Sequence, residues 1–298
     1  MLFDSNKKYI FLDGGMGTML YKNGLQKGDK PDLMNITAPE AVENVHRMYI
    51  EAGSDIICTN TFGSNSINLE GTGYSPADII NAAVMIAKRA CSSATPPLVS
   101  TPPLVSTPPI VALDIGPTGQ LIEPYGDLEY DAAYNLFKEM AIAGEKAGVD
   151  LVTIETMSDL EELRAAMTAV KENTNLPIFA TMTFDKTGRT FMGCTVEKFV
   201  ELAEEIGAAA VGLNCSLEPT EMVATAEQII KTTKLPVIVK PNAGLPDEES
   251  GEYHTGAKDF AEQMKIFAKM GAKIVGGCCG TTPEYIKELK KAYTQLTD

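Results

Sequence analysis

The chain has 298 residues, enough for one large α/β barrel or two smaller domains. With 44% hydrophobic and 22% charged residues, it has the composition of an ordinary globular protein. The net charge of -15 argues against a nucleic-acid surface, since phosphate binding needs clustered Lys and Arg. The longest apolar runs are strand-sized, so we expect no membrane span.

Short apolar segments alternate with helical patterns along the chain. In the first long helix, Val42, Val45 and Tyr49 recur at helical spacing and Gly53 ends the pattern, with His46 expected on the helix surface. We predict strands over residues 9–12, 55–61, 110–115, 150–156, 177–184, 209–216, 236–241 and 273–277. We predict helices over residues 39–52, 76–94, 129–147, 159–172, 196–206, 220–232, 257–270 and 283–296.

This alternation predicts the fold class. Strands that alternate with helices imply right-handed βαβ crossovers, and eight such pairs in this length are typical of a closed (β/α)8 barrel, also called a TIM barrel. We therefore expect a single α/β domain over residues 1–298. An open, doubly wound sheet is the alternative.

A proline-rich repeat interrupts the pattern. The hexapeptide Thr-Pro-Pro-Leu-Val-Ser begins at Thr95, recurs at Thr101 and starts again at Thr107. Paired prolines forbid a helix and favour extended polyproline geometry, so residues 95–109 are predicted to form a solvated linker within the barrel. Since it connects a helix to the next strand, we expect it on the N-terminal face, as a duplication without function.

The six cysteines are too few and too widely spaced for a secreted disulfide scaffold. A reducing cytoplasm fits them best, so we expect free thiols or metal ligands. Cys58 and Cys91 are expected to pack in the core, and the sequence does not decide between packing and a functional role for Cys194. Cys278 and Cys279 are adjacent, which disfavours a bridge between them because the ring would be strained.

In a barrel of this kind the active site forms where the strands end at their C-termini. Strands six and eight are next-nearest neighbours, so Cys215 can converge with Cys278 and Cys279. Three sulfur ligands favour zinc, and a site with three protein ligands keeps an open position, as catalytic zinc sites do. Packing of small buried cysteines is the alternative. The polar residues at predicted strand ends are Asp13, Asn60, Glu155, Asn214, Cys215, Asn242, Cys278 and Cys279.

An open zinc can activate water or bind a substrate thiol as thiolate. Three anionic sulfurs make the metal a poor activator of water, so a substrate thiol fits better. Asp13 and Glu155 follow apolar strand interiors and can bind a substrate ammonium. The amide N–H groups of the Gly14–Gly17 turn, which has three glycines in four residues, can donate to a substrate carboxylate. The predicted substrate is an amino acid that carries a thiol.

The motifs from the first strand to the last resemble those of the homocysteine S-methyltransferase family, and most closely the N-terminal homocysteine-binding module of cobalamin-dependent methionine synthases. The resemblance covers nearly the whole chain. The matching stretches are Asp13-Gly-Gly-Met-Gly-Thr-Met-Leu20, Asn60-Thr-Phe62, Gly212-Leu-Asn-Cys215, Pro241-Asn-Ala-Gly-Leu-Pro246 and Gly276-Gly-Cys-Cys-Gly-Thr-Thr-Pro283.

The resemblance implies a zinc-dependent barrel that activates homocysteine as a zinc-bound thiolate and methylates it to methionine. It implies a methyl-corrinoid (methylcobalamin) protein or module as the partner that donates the methyl group. The resemblance implies Cys215, Cys278 and Cys279 as the zinc ligands. It implies that Asp13 and Glu155 contact the amino group of homocysteine and that amides near Gly15 and Met16 contact its carboxylate. It also implies that the side-chain oxygen of Asn242 occupies the open zinc position before the substrate arrives.

The single barrel leaves three interpretations open: an excised module, a free-standing subunit served by a corrinoid protein, or an S-methylmethionine-dependent enzyme. A betaine-dependent enzyme fits less well, because quaternary ammonium groups favour aromatic faces and the chain has no Trp. Tyr125, Tyr130 and Tyr253, in predicted top loops, keep that option. Alternatives of other classes are a homocysteine- or zinc-binding module without turnover of its own, and a zinc hydrolase.

Overall fold

The computed structural model describes residues 7–93, 109–247 and 253–296. Nearly all of the predicted proline-rich linker, residues 95–109, lies outside this part of the chain. None of the helices in the described ranges has both the length and the apolar character that a bilayer crossing requires.

Eight strands and ten helices make up the described fold. The strands are β1 (Ile10–Phe11), β2 (Ile56–Cys58), β3 (Ile110–Ile115), β4 (Leu151–Met157), β5 (Ile178–Met182), β6 (Ala210–Asn214), β7 (Val237–Lys240) and β8 (Ile274–Val275). The helices are α1 (Met16–Lys22), α2 (Met34–Thr37), α3 (Pro39–Ala52), α4 (Pro76–Ser93), α5 (Tyr130–Ala147), α6 (Leu160–Asn173), α7 (Val196–Ile206), α8 (Pro219–Thr232), α9 (Ala257–Met270) and α10 (Pro283–Thr294). All eight predicted pairs are confirmed.

The strands form one parallel sheet in the order β1-β8-β7-β6-β5-β4-β3-β2. The two end strands meet at a seam, where the Asp55 N–H donates to the Phe11 carbonyl at 2.7 Å. This contact closes the sheet into a barrel, and the predicted (β/α)8 fold is confirmed. Because β6 and β8 are separated only by β7, their C-terminal ends lie close together, as the sequence predicted.

Side chains that alternate along each strand divide the core into two layers. One layer packs between the sheet and the surrounding helices. The other fills the barrel interior, since residues two apart on a strand share a face. Every strand contributes to this interior layer, which contains Ile10, Leu12, Ile56, Cys58, Ala112, Leu151, Phe179, Ala210, Ile238 and Ile274.

A Gly-x-Asp pattern sets the start of two strands. Gly53 and Gly148 end α3 and α5 in the left-handed conformation, with φ of 105° and 88°, which glycine adopts without strain. The aspartate two residues later then bonds to the preceding strand: Asp55 Oδ2 accepts from the Phe11 N–H at 2.9 Å, and Asp150 Oδ2 from the Val111 N–H at 2.8 Å. The pattern joins strands at the N-terminal end of the barrel.

Two short helices were not predicted. Residues 14–17 were expected to form a glycine turn, but α1 begins inside it at Met16. A 3₁₀ turn at Pro31–Leu33 and then α2 precede α3. Both α1 and α2 have too few residues to show a helical repeat in the sequence, and glycine at the start of α1 lowers its intrinsic helix propensity.

The prediction that His46 lies on the helix surface is wrong. His46 is fully buried, and neither ring nitrogen has a hydrogen-bond partner among the described residues. It lies on the same face of α3 as Val42, Val45 and Tyr49, so the helical spacing itself places it toward the core. Burial lowers the pKa of His46 to about 4, and the ring is therefore neutral at pH 7.

We expect Asp55 to stabilise the seam between β1 and β2. Its carboxylate accepts from the Phe11 N–H and pairs with Lys7 Nζ at 2.8 Å. Asp55→Ala should lower the free energy of unfolding by about 1–3 kcal/mol, because a buried N–H loses its acceptor. Urea unfolding measures the change. Asp55→Asn keeps an acceptor oxygen and should lose less; an Ala variant as stable as wild type would contradict this role.

Candidate active site

Next to the apolar interior layer, toward the C-terminal ends of the strands, the side chains that face the barrel interior are polar. On β3, β4, β6 and β7, residues two or four positions after an interior residue point to the same side of the sheet. They lie at the C-terminal end of the barrel, where barrel enzymes assemble their active sites. These residues are Asp114, Glu155, Asn214 and Lys240, and all four are buried.

The three cysteines predicted as ligands come together at this end. The sulfurs of Cys215, Cys278 and Cys279 all lie within 4.8 Å of one another, and no other such group of His, Cys, Asp or Glu occurs among the described residues. The Cys215 and Cys279 sulfurs are 3.8 Å apart. Two sulfurs bound to one tetrahedral zinc at about 2.3 Å would be separated by about 3.8 Å. The spacing therefore fits a zinc ion.

Backbone hydrogen bonds hold these cysteines in place. The Cys215 N–H donates to the Lys240 carbonyl at 3.0 Å, and the Cys278 N–H to the Pro241 carbonyl at 2.9 Å, so both cysteine-bearing loops are fixed to the end of β7. Cys215 and Ser216 have φ of 61° and 62°, a left-handed conformation that side-chain-bearing residues rarely adopt. Such strain is concentrated at functional sites, where the surrounding structure maintains it.

The three thiols differ in the direction in which their pKa is shifted. Hydrogen bonds from Cys278 and Cys279 lower the pKa of the Cys215 thiol, while the same contacts with Cys215 raise the pKa of Cys278 and of Cys279. The lowered pKa of Cys215 favours its thiolate form over that of the other two cysteines. Since metal ligands must be deprotonated, binding of a metal ion to these thiols would be coupled to proton release.

Asn214 connects β4 and β5 to the cysteine cluster. Its Oδ1 accepts from the Thr156 N–H at 2.9 Å and from the Thr181 hydroxyl at 2.7 Å. Its Nδ2 donates to Thr156 Oγ1 at 2.7 Å and to the Cys278 sulfur at 3.7 Å. Every polar atom of this buried amide is engaged, so Asn214 orients the Cys278 thiol and supplies a donor to it.

A buried charge cluster lies beside the cysteines. Lys240 Nζ and Glu155 Oε2 form an ion pair in which both side chains are nearly inaccessible. Burial alone would lower the pKa of Lys240, but Glu155, Cys58 and Asp13 together raise it, so Lys240 is a cation. Burial raises the pKa of Asp13 to about 6 and also raises the pKa of Glu155, with Lys240 opposing both shifts.

Four of the five predicted substrate-binding residues border one cavity of about 490 Å³. Asp13, Gly15, Met16 and Glu155 line it together with the three cysteines. The Gly15 N–H already donates to Thr281 Oγ1 at 3.1 Å. The N–H groups in the first turn of α1, beginning at Met16, have no partner within the helix and are the better carboxylate donors.

Asn242 does not line this cavity. Its Oδ1 accepts from the Cys279 N–H at 3.1 Å, and its side chain also forms a hydrogen bond to the Cys215 thiol. In this arrangement the amide orients two of the cysteines and its oxygen is engaged with the backbone.

The remaining cysteines and tyrosines are distributed as follows. Cys58 and Cys194 are buried and Cys91 is half-buried, and none of the three joins the cysteine cluster. Cys58 nevertheless borders the cavity. Among the tyrosines, Tyr130 is the first residue of α5 rather than part of a loop. Tyr253 packs so closely on Gly280 that a Cβ there would lie 2.3 Å from its ring.

Sequence reasoning missed Lys240 and Asp114. Each is a charged residue in an otherwise apolar strand, as Glu155 is, and each lies two positions after an interior residue. Residues two apart on a strand share a face, and applying this alternation to every strand would have placed both residues on the interior face.

The chain is similar to known proteins over nearly its whole length. A model of the family described as homocysteine S-methyltransferase matches residues 10–293. The methionine synthases of Mycobacterium leprae and Mycobacterium tuberculosis are 32% and 31% identical over 96% and 95% of this chain. The chain spans about a quarter of their length, 24% in both cases.

Solved structures share the fold. The metallated form of the homocysteine methyltransferase MmuM from Escherichia coli superposes with a TM-score of 0.81 at 23% identity, over 96% of each chain. Its apo form gives a TM-score of 0.75 at 22% identity, over 96% of this chain and 97% of that one.

We expect Asn214 to tune metal affinity. Asn214→Asp keeps the size of the side chain but replaces the amide donor with a carboxylate oxygen beside the Cys278 sulfur. Zinc affinity should fall about 10–100-fold, as is typical when a group that supports a ligand is changed. Competition with a chromogenic chelator measures it. Asn173→Asp, on α6 and bonded to Tyr134 and Ala169, is the matched control; equal affinity in both variants would contradict the role.

Proposed function

The chain belongs to the homocysteine S-methyltransferase family, and from that premise we propose that it transfers a methyl group to the sulfur of homocysteine and so forms methionine. One observation carries the proposal. Three cysteine sulfurs within 4.8 Å of one another border a cavity that also contains buried groups of both charges. Sulfur chemistry and the recognition of an amino acid can then take place in a single site.

We propose that Cys215, Cys278 and Cys279 hold a zinc ion. The donor set fits, because thiolate sulfur prefers zinc to magnesium or calcium, and the separation of the sulfurs suits tetrahedral coordination. When bound, zinc would keep a substrate thiol deprotonated at neutral pH and so make its sulfur a nucleophile.

The chain's own groups would bind and orient the amino acid. Asp13 and Glu155 make the inner wall of the cavity acidic, which suits an ammonium group. First-turn amides near Met16 suit a carboxylate. With both groups fixed, a lone pair of the homocysteine sulfur can form the new bond to the methyl carbon, while the donor keeps the electrons of the bond that breaks. Fixing both partners reduces the entropy cost of the step.

A methyl-corrinoid protein or module is our proposed donor. The two mycobacterial relatives are methionine synthases about four times as long as the region that this chain matches, which leaves room in them for further modules. S-methylmethionine is the alternative donor, and betaine is less suitable. A homocysteine-binding module that is inactive outside a larger assembly is the candidate of another class, favoured by the same difference in length. We propose a cytoplasmic location, because free thiols suit a reducing compartment.

Loss of one ligand tests the role of the metal. Cys278→Ala should reduce bound zinc from about one ion per chain to near zero, and methyl transfer to below about 1% of the wild-type rate, because a metal ion supplies several kcal/mol to such reactions. Zinc content by elemental analysis and methionine formation measure the two effects. Cys91→Ala, a half-buried cysteine on α4, should retain both. Full zinc and full activity in Cys278→Ala would overturn the mechanism.

The donor is identified by direct assay. The zinc-loaded chain is incubated with homocysteine and, separately, methylcobalamin, S-methylmethionine or betaine, and methionine is quantified. We expect turnover with methylcobalamin, increased by a corrinoid protein. Turnover with S-methylmethionine alone would identify the alternative enzyme. Homocysteine binding without turnover on any donor would favour the binding module.

A further inference from the structure

Strand β4 contains a bulge near its C-terminal end. Between the paired positions of Ile154 and Met157, β4 has two residues, Glu155 and Thr156, where β5 has only one. Thr156 has a φ of 66°, which is an outlier for a β-branched side chain. Bulges beside active sites commonly re-aim a side chain, so this departure from regular strand geometry points to the side chain of Thr156.

The bulge turns two consecutive side chains toward one cavity. In a regular strand, neighbouring side chains point to opposite faces. Leu151 lies in the interior layer, and the alternation continues through Thr153 to Glu155. Thr156 nevertheless borders the cavity together with Glu155, and Met157 packs in the layer between the sheet and the helices. Without the extra residue, the side chain of Thr156 would face the helices.

A single amide holds Thr156 in this conformation. The Thr156 N–H donates to Asn214 Oδ1 at 2.9 Å, and Thr156 Oγ1 accepts from Asn214 Nδ2 at 2.7 Å. Because the oxygen accepts in this contact, the hydroxyl hydrogen is left to donate, and it has no acceptor among the described residues. Thr156 is also the only residue of β4 that is partly exposed. A ligand in the cavity can therefore reach the hydroxyl.

The hydroxyl lies beside the cysteine cluster. Asn214 Nδ2, which donates to Thr156 Oγ1, also contacts the Cys278 sulfur at 3.7 Å. The hydroxyl and this sulfur are thus neighbours of the same amide nitrogen. Thr156 borders the cavity together with all three clustered cysteines. A ligand sulfur that reached the cysteines would arrive next to a hydroxyl with a hydrogen to donate.

We propose that the Thr156 hydroxyl donates a hydrogen bond to the sulfur of the substrate. This inference rests on the proposed function, since it assumes a thiol amino acid whose sulfur joins the three cysteines. The bond favours the thiolate, because a hydrogen bond to the charged form of a group stabilises that form. It also orients the sulfur toward the methyl carbon, which reduces the entropy cost of the transfer.

A pair of amino acids isolates the contact with sulfur. Homocysteine and 2-aminobutyrate differ only in the thiol group. Calorimetric titration of the zinc-loaded full chain gives a dissociation constant for each. In Thr156→Val, which keeps the shape but removes the hydroxyl, the value for homocysteine should rise at least about tenfold, as expected when a hydrogen bond to a charged group is lost. The value for 2-aminobutyrate should change by less than about twofold, because that ligand has no sulfur.

A spectrum of the cobalt-loaded chain reports on the sulfur directly. Cobalt(II) bound to thiolates absorbs light by charge transfer from sulfur to metal, and a hydrogen bond to the sulfur raises the energy of that transition. The band that appears when homocysteine is added should lie at longer wavelength in Thr156→Val than in the wild type. A shift of the same size before homocysteine is added would mean that Thr156 acts only through Asn214 on Cys278, and would overturn the inference.

Controls separate this contact from a structural role. Thr156→Ser keeps the hydroxyl and should bind homocysteine nearly as the wild type does. Thr232→Val should match the wild type, because the hydroxyl of this exposed residue on α8 donates to the Gln228 carbonyl of the same helix. Metal content and circular dichroism establish that each variant is loaded and folded, and Thr156→Ala replaces Thr156→Val if that variant does not fold. Equal weakening of both amino acids, or an unchanged homocysteine-dependent band, would refute the contact.

The wild-type titration separates failure of the inference from failure of the proposed function. If the wild type does not bind homocysteine more tightly than 2-aminobutyrate, the sulfur is not held at the cysteines, and the proposed function and the inference fail together. If the wild type prefers homocysteine and Thr156→Val keeps the same preference, the inference alone fails. A preference that falls in Thr156→Val and returns in Thr156→Ser supports both.

Discussion

The close approach of the loops after β1 and β8 determines the geometry of the site. Thr281 lies between them: its hydroxyl accepts from the Gly15 N–H and donates to the Cys278 carbonyl at 2.7 Å. A Cβ on Gly14 would lie 2.6 Å from that hydroxyl, and one on Gly277 would lie 2.3 Å from it. Only glycine permits this separation. The glycines of the two motifs are therefore a packing requirement that positions the cysteine pair against the cavity.

Tyr49 supports this junction from beneath. The residue is fully buried on α3, and its hydroxyl donates to the Thr281 carbonyl at 3.1 Å, close to the carbonyl of Gly15. One helix of the outer ring thus stabilises both loops at once. The strained residues lie across the barrel, at Thr156 after Glu155 and at Cys215. The rigid junction and the strained turns face the same cavity, as expected where stability elsewhere compensates for a constrained site.

The sequence predicted the repeating part of the fold well and its exceptions poorly. Helix α3, helix α7 and strand β3 have the predicted bounds because each has a clear period and a clear stop. Helix α1 was missed because seven residues cannot show a repeat. His46 was misplaced because residue type was weighed above its position on the helix. The cysteines were found because their chemistry is distinctive. Lys240 and Asp114 resemble surface charges in the sequence, and only the alternation of side chains along their strands shows that they face the barrel interior.

The distribution of the three cysteines along the chain has a consequence for biosynthesis. Cys215 precedes β7, whereas Cys278 and Cys279 follow β8, the strand that pairs with β1. While the chain is being synthesised, the earlier strands can associate, but a zinc ion bound as we propose could not acquire its full set of ligands. On this proposal, insertion of the metal would wait until the eighth strand has docked. Metal occupancy in a cell would then report the fraction of chains in which barrel assembly has been completed.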